Sequence, residues 1–326
     1  MFRYSSSVWG RLMSKLRIAT RKSALAMAQT TLVAEAIAAA NPGLTYELVS
    51  MTTEGDRRLD KSLASFGGKG VFIKELEVAL LEGRADIAVH SLKDMPAEVL
   101  PEFKLAAVLH REDPRDAFVA RGGVDGLKFM QLRAGARVGT GSIRRVVQLK
   151  ALRPDLEYVP IRGNIQTRLS KLAELDGVVL AAAGLKRMGL ANQVTEYFST
   201  EQMLPASGQG ILAIETLAGH DNAVLVPVND PATFCIAVAE MAYLKALNAG
   251  CQFPVASFAE FTDAANCANA ASARELKIRG IYWDESSQRL LRAEITQNVD
   301  ANSAVVTDQA RAAGIALAQK IREQLA

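Results

Sequence analysis

Cysteine is scarce: the 326 residues hold three, Cys235, Cys251 and Cys267. None lies in a CxxC pair or at metal-ligand spacing, which excludes a zinc-finger or disulfide framework and points to a reducing compartment. An excess of charge of one sign is also missing. The formal net charge is +3, too small for a general nucleic-acid surface, so any basic site has to be local. No apolar run reaches the roughly 20 residues of a membrane span. No P-loop and no well-placed GxGxxG is present, which argues against a nucleotide site. Histidine is limited to three residues. His90 is the only one near a predicted strand end and lacks the further ligands of a metal site, so a hydrogen-bonding role is expected for it and no metal is.

What remains is a globular composition, 49% hydrophobic and 22% charged, in a chain long enough for two or three domains. Residues 1–15 carry Arg3, Arg11 and Lys15 among three serines and no acid. They read as a leader, either disordered or weakly like an organelle transit peptide, with Met13 as an alternative start.

From residue 16 the pattern is strand, basic turn, helix. An apolar strand over 16–20 runs into Arg21 and Lys22, and Ser23 N-caps a helix to about residue 40. Residues 46–51 alternate like a strand. Residues 52–70 hold Gly55, Gly67, Gly68 and Gly70 among many charges and predict a mobile loop. A helix over 71–82 ends at Gly83, after which Ile87, Ala88 and Val89 lead into His90, Ser91, Lys93 and Asp94. Polar residues at the carboxyl end of a strand in an open α/β sheet face a cleft, although this stretch by itself also suits a solvated turn. A strand over 105–109 and a polar crossing over 110–116 follow. Strands at 137–139, 157–160 and 178–182, alternating with helices at 142–152 and 164–175, predict a second doubly wound unit. Residues 211–216 read as a strand returning to the first sheet. A long helix over 231–247, three alternating runs and a final helix over 307–325 predict a smaller α+β unit. The expected domains are 16–112 with 208–229, then 113–207, then 230–326.

Arg144 and Arg145 fall in the first turn of a predicted helix, where the macrodipole is already positive, so an anion is expected beside them. Thr140, Gly141 and Ser142 supply hydroxyls and an approachable backbone there. Arg162, Gly163 and Arg168 repeat the theme at the next turn, and Arg21 does so at the first. Three basic turns facing one cleft favour a ligand with several anionic groups, since guanidinium forks match carboxylates. The alternative at each turn is a pair of solvated arginines. Asp94 is suited to stabilise a developing cation or move protons there, unless it only pairs with Lys93. Cys251, in a loop after the long helix, is placed as an accessible thiol, whereas Cys235 falls in the apolar pattern of that helix.

The ordered set Arg17-Ile18-Ala19-Thr20-Arg21, Gly67-Gly68-Lys69-Gly70, His90-Ser91-Leu92-Lys93-Asp94, Arg111-Glu112-Asp113-Pro114-Arg115-Asp116, Arg162-Gly163-Asn164, Gly208-Gln209-Gly210 and Gly250-Cys251-Gln252 resembles the porphobilinogen deaminase (hydroxymethylbilane synthase) family from about residue 16 onward. The resemblance implies two doubly wound α/β domains like type II periplasmic binding proteins and a smaller α+β C-terminal domain. It implies a transferase of tetrapyrrole biosynthesis that deaminates four porphobilinogen molecules and joins them on a dipyrromethane cofactor held by thioether at Cys251. By the same resemblance Asp94 is the catalytic carboxylate. Cofactor contacts fall on Ser91, Lys93, Asp94, Thr140, Ser142, Arg144, Arg145, Arg162 and Gly163, and substrate contacts on Arg21, Ser23, Lys69, Arg162, Arg168, Arg187 and Gln209. A cytoplasmic monomer with no nucleic-acid or membrane partner is implied as well. The chain departs from the family pattern at Gly141, where a second hydroxyl is usual, at Met241, where an arginine is usual, and at Ala249, where a glycine is usual. The competing reading is a two-lobed solute-binding protein that holds an anion in the same cleft without chemistry.

Overall fold

Two five-stranded sheets carry most of the chain up to residue 217, and both are laid out the same way. In the first, β1 (Lys15–Arg21), β2 (Thr45–Met51) and β3 (Ile87–Ser91) are parallel in the order β2-β1-β3; β10 (Leu212–Leu217) lies antiparallel beside β3, and β4 (Phe103–Val108) beside β10. In the second, β7 (Glu157–Val159), β6 (Arg137–Gly139) and β8 (Gly177–Ala181) are parallel in that order; β5 (Asp116–Ala120) lies antiparallel beside β8, and β9 (Glu196–Tyr197) beside β5. The antiparallel strand between β3 and β4, and its counterpart between β8 and β9, is the one the chain enters from the other sheet. The computed structural model describes residues 15–53, 73–221, 223–249, 253–262, 274–299 and 306–325.

The inner parallel strands β3 and β8 are largely apolar and buried because helices cover both faces of the sheets. Ile18, Ile87 and Val89 pack on Val33 and Ile37 of α1 (Ala24–Ala40), while Ala19 and Ala88 pack on Leu76 and Leu80 of α2 (Lys74–Leu81). Ser23 caps α1 as expected, its Oγ accepting from the Ala26 N–H at 3.3 Å. Strands β6, β7 and β8 are each followed by a helix, α3 (Ile143–Leu152), α4 (Ile165–Ser170) and α5 (Ala182–Arg187). The predicted helix over 164–175 thus stops earlier, and a 3-10 turn at Lys171–Ala173 follows. Strand β5 is a larger difference. Residue 116 reads as the end of a polar crossing, yet Asp116 opens a strand whose five residues are all buried. The signal fails because a short apolar run headed by a carboxylate has neither periodicity nor length.

The third unit is the antiparallel sheet β11 (Val255–Phe261), β12 (Arg274–Asp284) and β13 (Arg289–Val299), with α6 (Pro231–Ala246) and α7 (Val306–Glu323) packed on it around buried Tyr243, Leu276, Ile278 and Leu317. Met241 packs both in this core and against the cluster of Leu92, Met95 and Val108. An apolar side chain there fills a seam between units. The expected difficulty at Ala249 does not arise, because the left-handed residue after α6 is Asn248, at φ 52°, and asparagine tolerates that region.

A buried ion pair joins the first and third units. Arg111, on the first crossing, meets Glu240 of α6 at 2.7 Å, with side chains 8% and 0% exposed. Glu240 also accepts from the Gly208 N–H at 2.6 Å and the Ala259 N–H at 2.7 Å. Removing this carboxylate leaves a buried guanidinium without its counter-charge and two amides without an acceptor. Glu240→Ala is therefore expected to lower the unfolding free energy by about 3–5 kcal/mol, measured by denaturant titration; a loss under about 1 kcal/mol would refute the pair's importance.

Candidate active site

Strand β3 delivers the polar stretch to the edge of the first sheet. Side chains alternate across the sheet, so Ser91 faces α1 and His90 faces α2. On the α1 side Ser91 and the buried Gln29 exchange hydrogen bonds at 3.0 and 3.2 Å. On the other side His90 Nε2 lies 3.0 Å from Glu215 of β10, both side chains buried. His90 is thus a satisfied group beneath the sheet, as its lack of metal partners predicts. The chain then turns through a 3-10 helix, Leu92–Asp94, in which Leu92 is buried, Lys93 half-buried and Asp94 exposed. Leu92 anchors the turn and presents Asp94 outward. Lys93 Nζ donates to Gln209 Oε1 at 3.3 Å.

The first basic turn of the second sheet meets an anion from within the chain. Arg144 and Arg145 are both 5% exposed, and the anion beside them is the protein's own Asp116. Arg144 Nη1 lies 2.8 Å from Asp116 Oδ2, and Arg145 donates through Nε and Nη2 to Asp116 Oδ1 at 2.9 and 2.8 Å. Arg144 also donates to the Leu204 carbonyl, and Arg145 to that of Val179. Burial pushes the Asp116 carboxyl upward, but the two guanidiniums more than offset this and hold it well below the usual range. The electrostatic conflict in the first turn of α3 is therefore resolved inside the fold, by a residue that the sequence gives no reason to place there. Ser142 precedes α3 without a side-chain capping bond; its N–H donates to Thr140 Oγ1 at 3.3 Å. Gly141 has a local reason: a Cβ at that position would come within 2.5 Å of the Ile161 carbonyl oxygen. The missing hydroxyl is excluded by the neighbouring turn.

At that neighbouring turn, Gly163 takes φ +99° and its carbonyl accepts from Arg168 Nε at 2.8 Å. Arg162 is exposed. Burial lowers the Arg168 pKa, Asp94 opposes that and Arg162 adds to it. The exposed carboxylate at the end of β3 thus acts on the charge of Arg168 in α4. Arg187, at the end of α5, donates to the Gly210 carbonyl at 2.7 Å and is pushed down to about 10 by burial, against the pull of Glu112. Arg21 and Ser23 stand at the carboxyl end of β1, the edge that β3 shares. Lys69 and Cys251 lie outside the described residues.

Gln209 is tied into the same network. It is fully buried, and its amide accepts from Lys93 and donates to Asp116. Of three buried polar residues that sequence reasoning missed, Gln29, Asp116 and Glu240, the first and last are polar side chains inside an apolar pattern, whereas Asp116 closes a polar stretch. The detectable signal is the interruption itself, as at Glu240 in the apolar α6.

These features can bind a small polyanion and set one carboxylate against a positive centre. The chain matches two family models, porphobilinogen deaminase, dipyromethane cofactor binding domain, over residues 16–225, and porphobilinogen deaminase, C-terminal domain, over 234–323. It is 46% identical over 291 residues to a porphobilinogen deaminase of Syntrophus aciditrophicus, covering 87% of this chain and 90% of that one. With the porphobilinogen deaminase of Laribacter hongkongensis it shares 44% identity over 316 residues, 96% of each. Solved structures similar in fold include the methionine-binding protein MetQ, at 12% identity and TM-score 0.42, covering 66% of this chain and 88% of that one. On the two family models and these relatives, the chain belongs to the porphobilinogen deaminase family.

Proposed function

We propose that Asp94 is the catalytic carboxylate of this transferase and that Cys251 carries its dipyrromethane. The observation that supports this most is the exposed Asp94 within electrostatic reach of Lys93 and Arg168. The donor set suits the cofactor: guanidinium, ammonium and hydroxyl groups match acetate and propionate side chains. Ser91, Lys93, Thr140, Ser142, Arg144, Arg145, Arg162 and Gly163 would hold it, the two buried arginines being fixed by Asp116. Arg21, Ser23, Lys69, Arg168 and Arg187 would receive the carboxylates of incoming porphobilinogen. When bound, the dipyrromethane supplies the carbon nucleophile that accepts the first substrate unit.

The chain's own groups divide the work as follows. The basic side chains neutralise and orient the substrate carboxylates, which fixes the aminomethyl carbon near Asp94. As the C–N bond breaks, its electron pair leaves with ammonia and positive charge spreads into the pyrrole. The Asp94 carboxylate opposes that charge and can take up or return the proton. Residues 16–112 with 208–229, 113–207 and 230–326 are taken as three domains, the first two flanking the cleft. We place the enzyme in the cytoplasm as a monomer; among the described residues no helix is long and apolar enough to cross a membrane. A solute-binding role is not favoured, since it requires neither Cys251 nor the C-terminal unit.

Intact mass under denaturing conditions tests this reading. Excess mass that survives denaturation and maps to the Cys251 peptide is the expected result. A fully active protein with an unmodified Cys251 would overturn it.

A further inference from the structure

Behind the site lies an amide whose orientation is fixed from every side. Gln209 stands between Gly208 and Gly210, at φ +74° and +90°. Neither neighbour tolerates a side chain: a Cβ at 208 would lie 2.9 Å from the Lys93 backbone nitrogen, and one at 210 would strike the Glu112 carbonyl oxygen. The Gln209 carbonyl accepts from Arg111 Nε at 2.9 Å, and its N–H donates to the Ala206 carbonyl at 2.9 Å. Its side-chain Nε2 points at the Pro114 carbonyl (2.7 Å), Asp116 Oδ1 (3.1 Å) and the Arg115 carbonyl (3.3 Å). Three acceptors on one side can be served only by the NH2 group, so Oε1 has to face the other way. There it meets the Lys93 ammonium at 3.3 Å.

We propose that Asp116 and Gln209 are positioning residues of the deaminase reaction: Asp116 holds the Gln209 amide together with Arg144 and Arg145, and Gln209 holds the Lys93 ammonium beside Asp94. This rests on the assignment of Lys93 and Asp94 to the site. Neither positioning residue touches the open face, since both are fully buried. They act on what Lys93 and the two arginines present to a ligand.

The arrangement has a charge consequence. Lys93 is pushed down to about 8, first by burial and then by Arg145 and Arg144, while Asp94 and Asp116 pull it back up. It is a cation at neutral pH and loses its charge in mild alkali. Without the Asp116 charge the two guanidiniums are unopposed, and the Lys93 pKa falls further. Without the Gln209 carbonyl the charged ammonium loses a hydrogen-bond acceptor, which lowers it too. Both changes have the same sign: carboxylate binding that needs a cationic Lys93 is lost at a lower pH than in the parent.

The test uses the purified cofactor-bearing protein with Gln209→Met and Asp116→Asn. Trace acetic anhydride is applied across a pH series, acylation of Lys93 is read by peptide mass, and kcat and KM are followed over the same range. The expected midpoint for the parent is near 8, and in Gln209→Met it moves down by about one pH unit. The alkaline limb of kcat/KM should move with it, and kcat should fall roughly ten- to a hundredfold. Asp116→Asn strands two buried guanidiniums and can fail to fold; Gln209→Met leaves the Asp116 pairs in place and decides the matter alone. An unmoved Lys93 midpoint in Gln209→Met with the parent's thermal stability would overturn the proposal. A moved midpoint in a parent that does not consume porphobilinogen would support the relay and overturn the functional reading instead.

Discussion

Asp94→Asn folds like the parent and loses turnover by about a hundred- to a thousandfold, the range seen when one preorganised electrostatic group is removed from a reacting centre. The fold is indifferent because Asp94 is exposed, while the turn that carries it is anchored by buried Leu92 and by the Leu92 N–H donating to the Ile211 carbonyl at 3.0 Å. An exposed isosteric change of this kind shifts stability by no more than about 0.5 kcal/mol. The chemistry is not indifferent. The amide keeps the shape of the carboxylate but carries no charge, so nothing faces the positive methylene, and the charges of Lys93 and Arg168 are left without their nearest opponent. Ammonia release in steady state, with thermal unfolding as the control, decides the question. Turnover within about threefold of the parent, at unchanged stability, is the result that removes Asp94 from the mechanism.

Cys251→Ser has the second large effect. A thioether forms from a thiolate, and a serine hydroxyl at neutral pH is a far weaker nucleophile. The variant should therefore carry the bare polypeptide mass and show no turnover above background. Its core should survive, because the buried clusters of the third unit are built from α6, α7 and the β11–β13 sheet. Cys235 cannot substitute, being buried in α6 with its thiol pushed up by burial. A serine variant that retains both the excess mass and the activity would show that the anchor lies elsewhere. The two variants also separate the roles: Asp94→Asn should keep the covalent mass that Cys251→Ser lacks.

Much of this architecture is legible in the amino-acid order. The strand, basic turn, helix alternation announces two doubly wound units, because apolar runs that end in polar residues are what a covered parallel sheet requires. The return of residues 211–216 to the first sheet is legible as an apolar run introduced by a glycine pair. Ser23 at a helix start, Asp94 at the end of a strand and Cys251 after a long helix are each visible as a residue type in a place that gives it work. What is not legible is pairing at long range. Asp116 sits 28 and 29 residues before the arginines it neutralises, and nothing local announces that it is buried. His90 finds Glu215 across 125 residues, and Arg111 finds Glu240 across 129.

The sequence by itself determined the fold class, the family and the chemical character of the site: local cations in a chain of small net charge, one carboxylate among them, one loop thiol. The fold class follows from period and the local charge from composition, while the family comes from the ordered motifs that resemble it; none of these needs coordinates. Only the tertiary structure decided which buried carboxylate meets which of these cations. Arg144, Arg145 and Gln209 all read as ligand contacts along the chain, and the fold adds a carboxylate, delivered by the crossing strand β5, that meets all three. Desolvation makes such partners obligatory, since a buried charge has to be met by another. Which residue meets it depends on the packing of distant segments, and that is fixed only when the two sheets and the third unit close on one another.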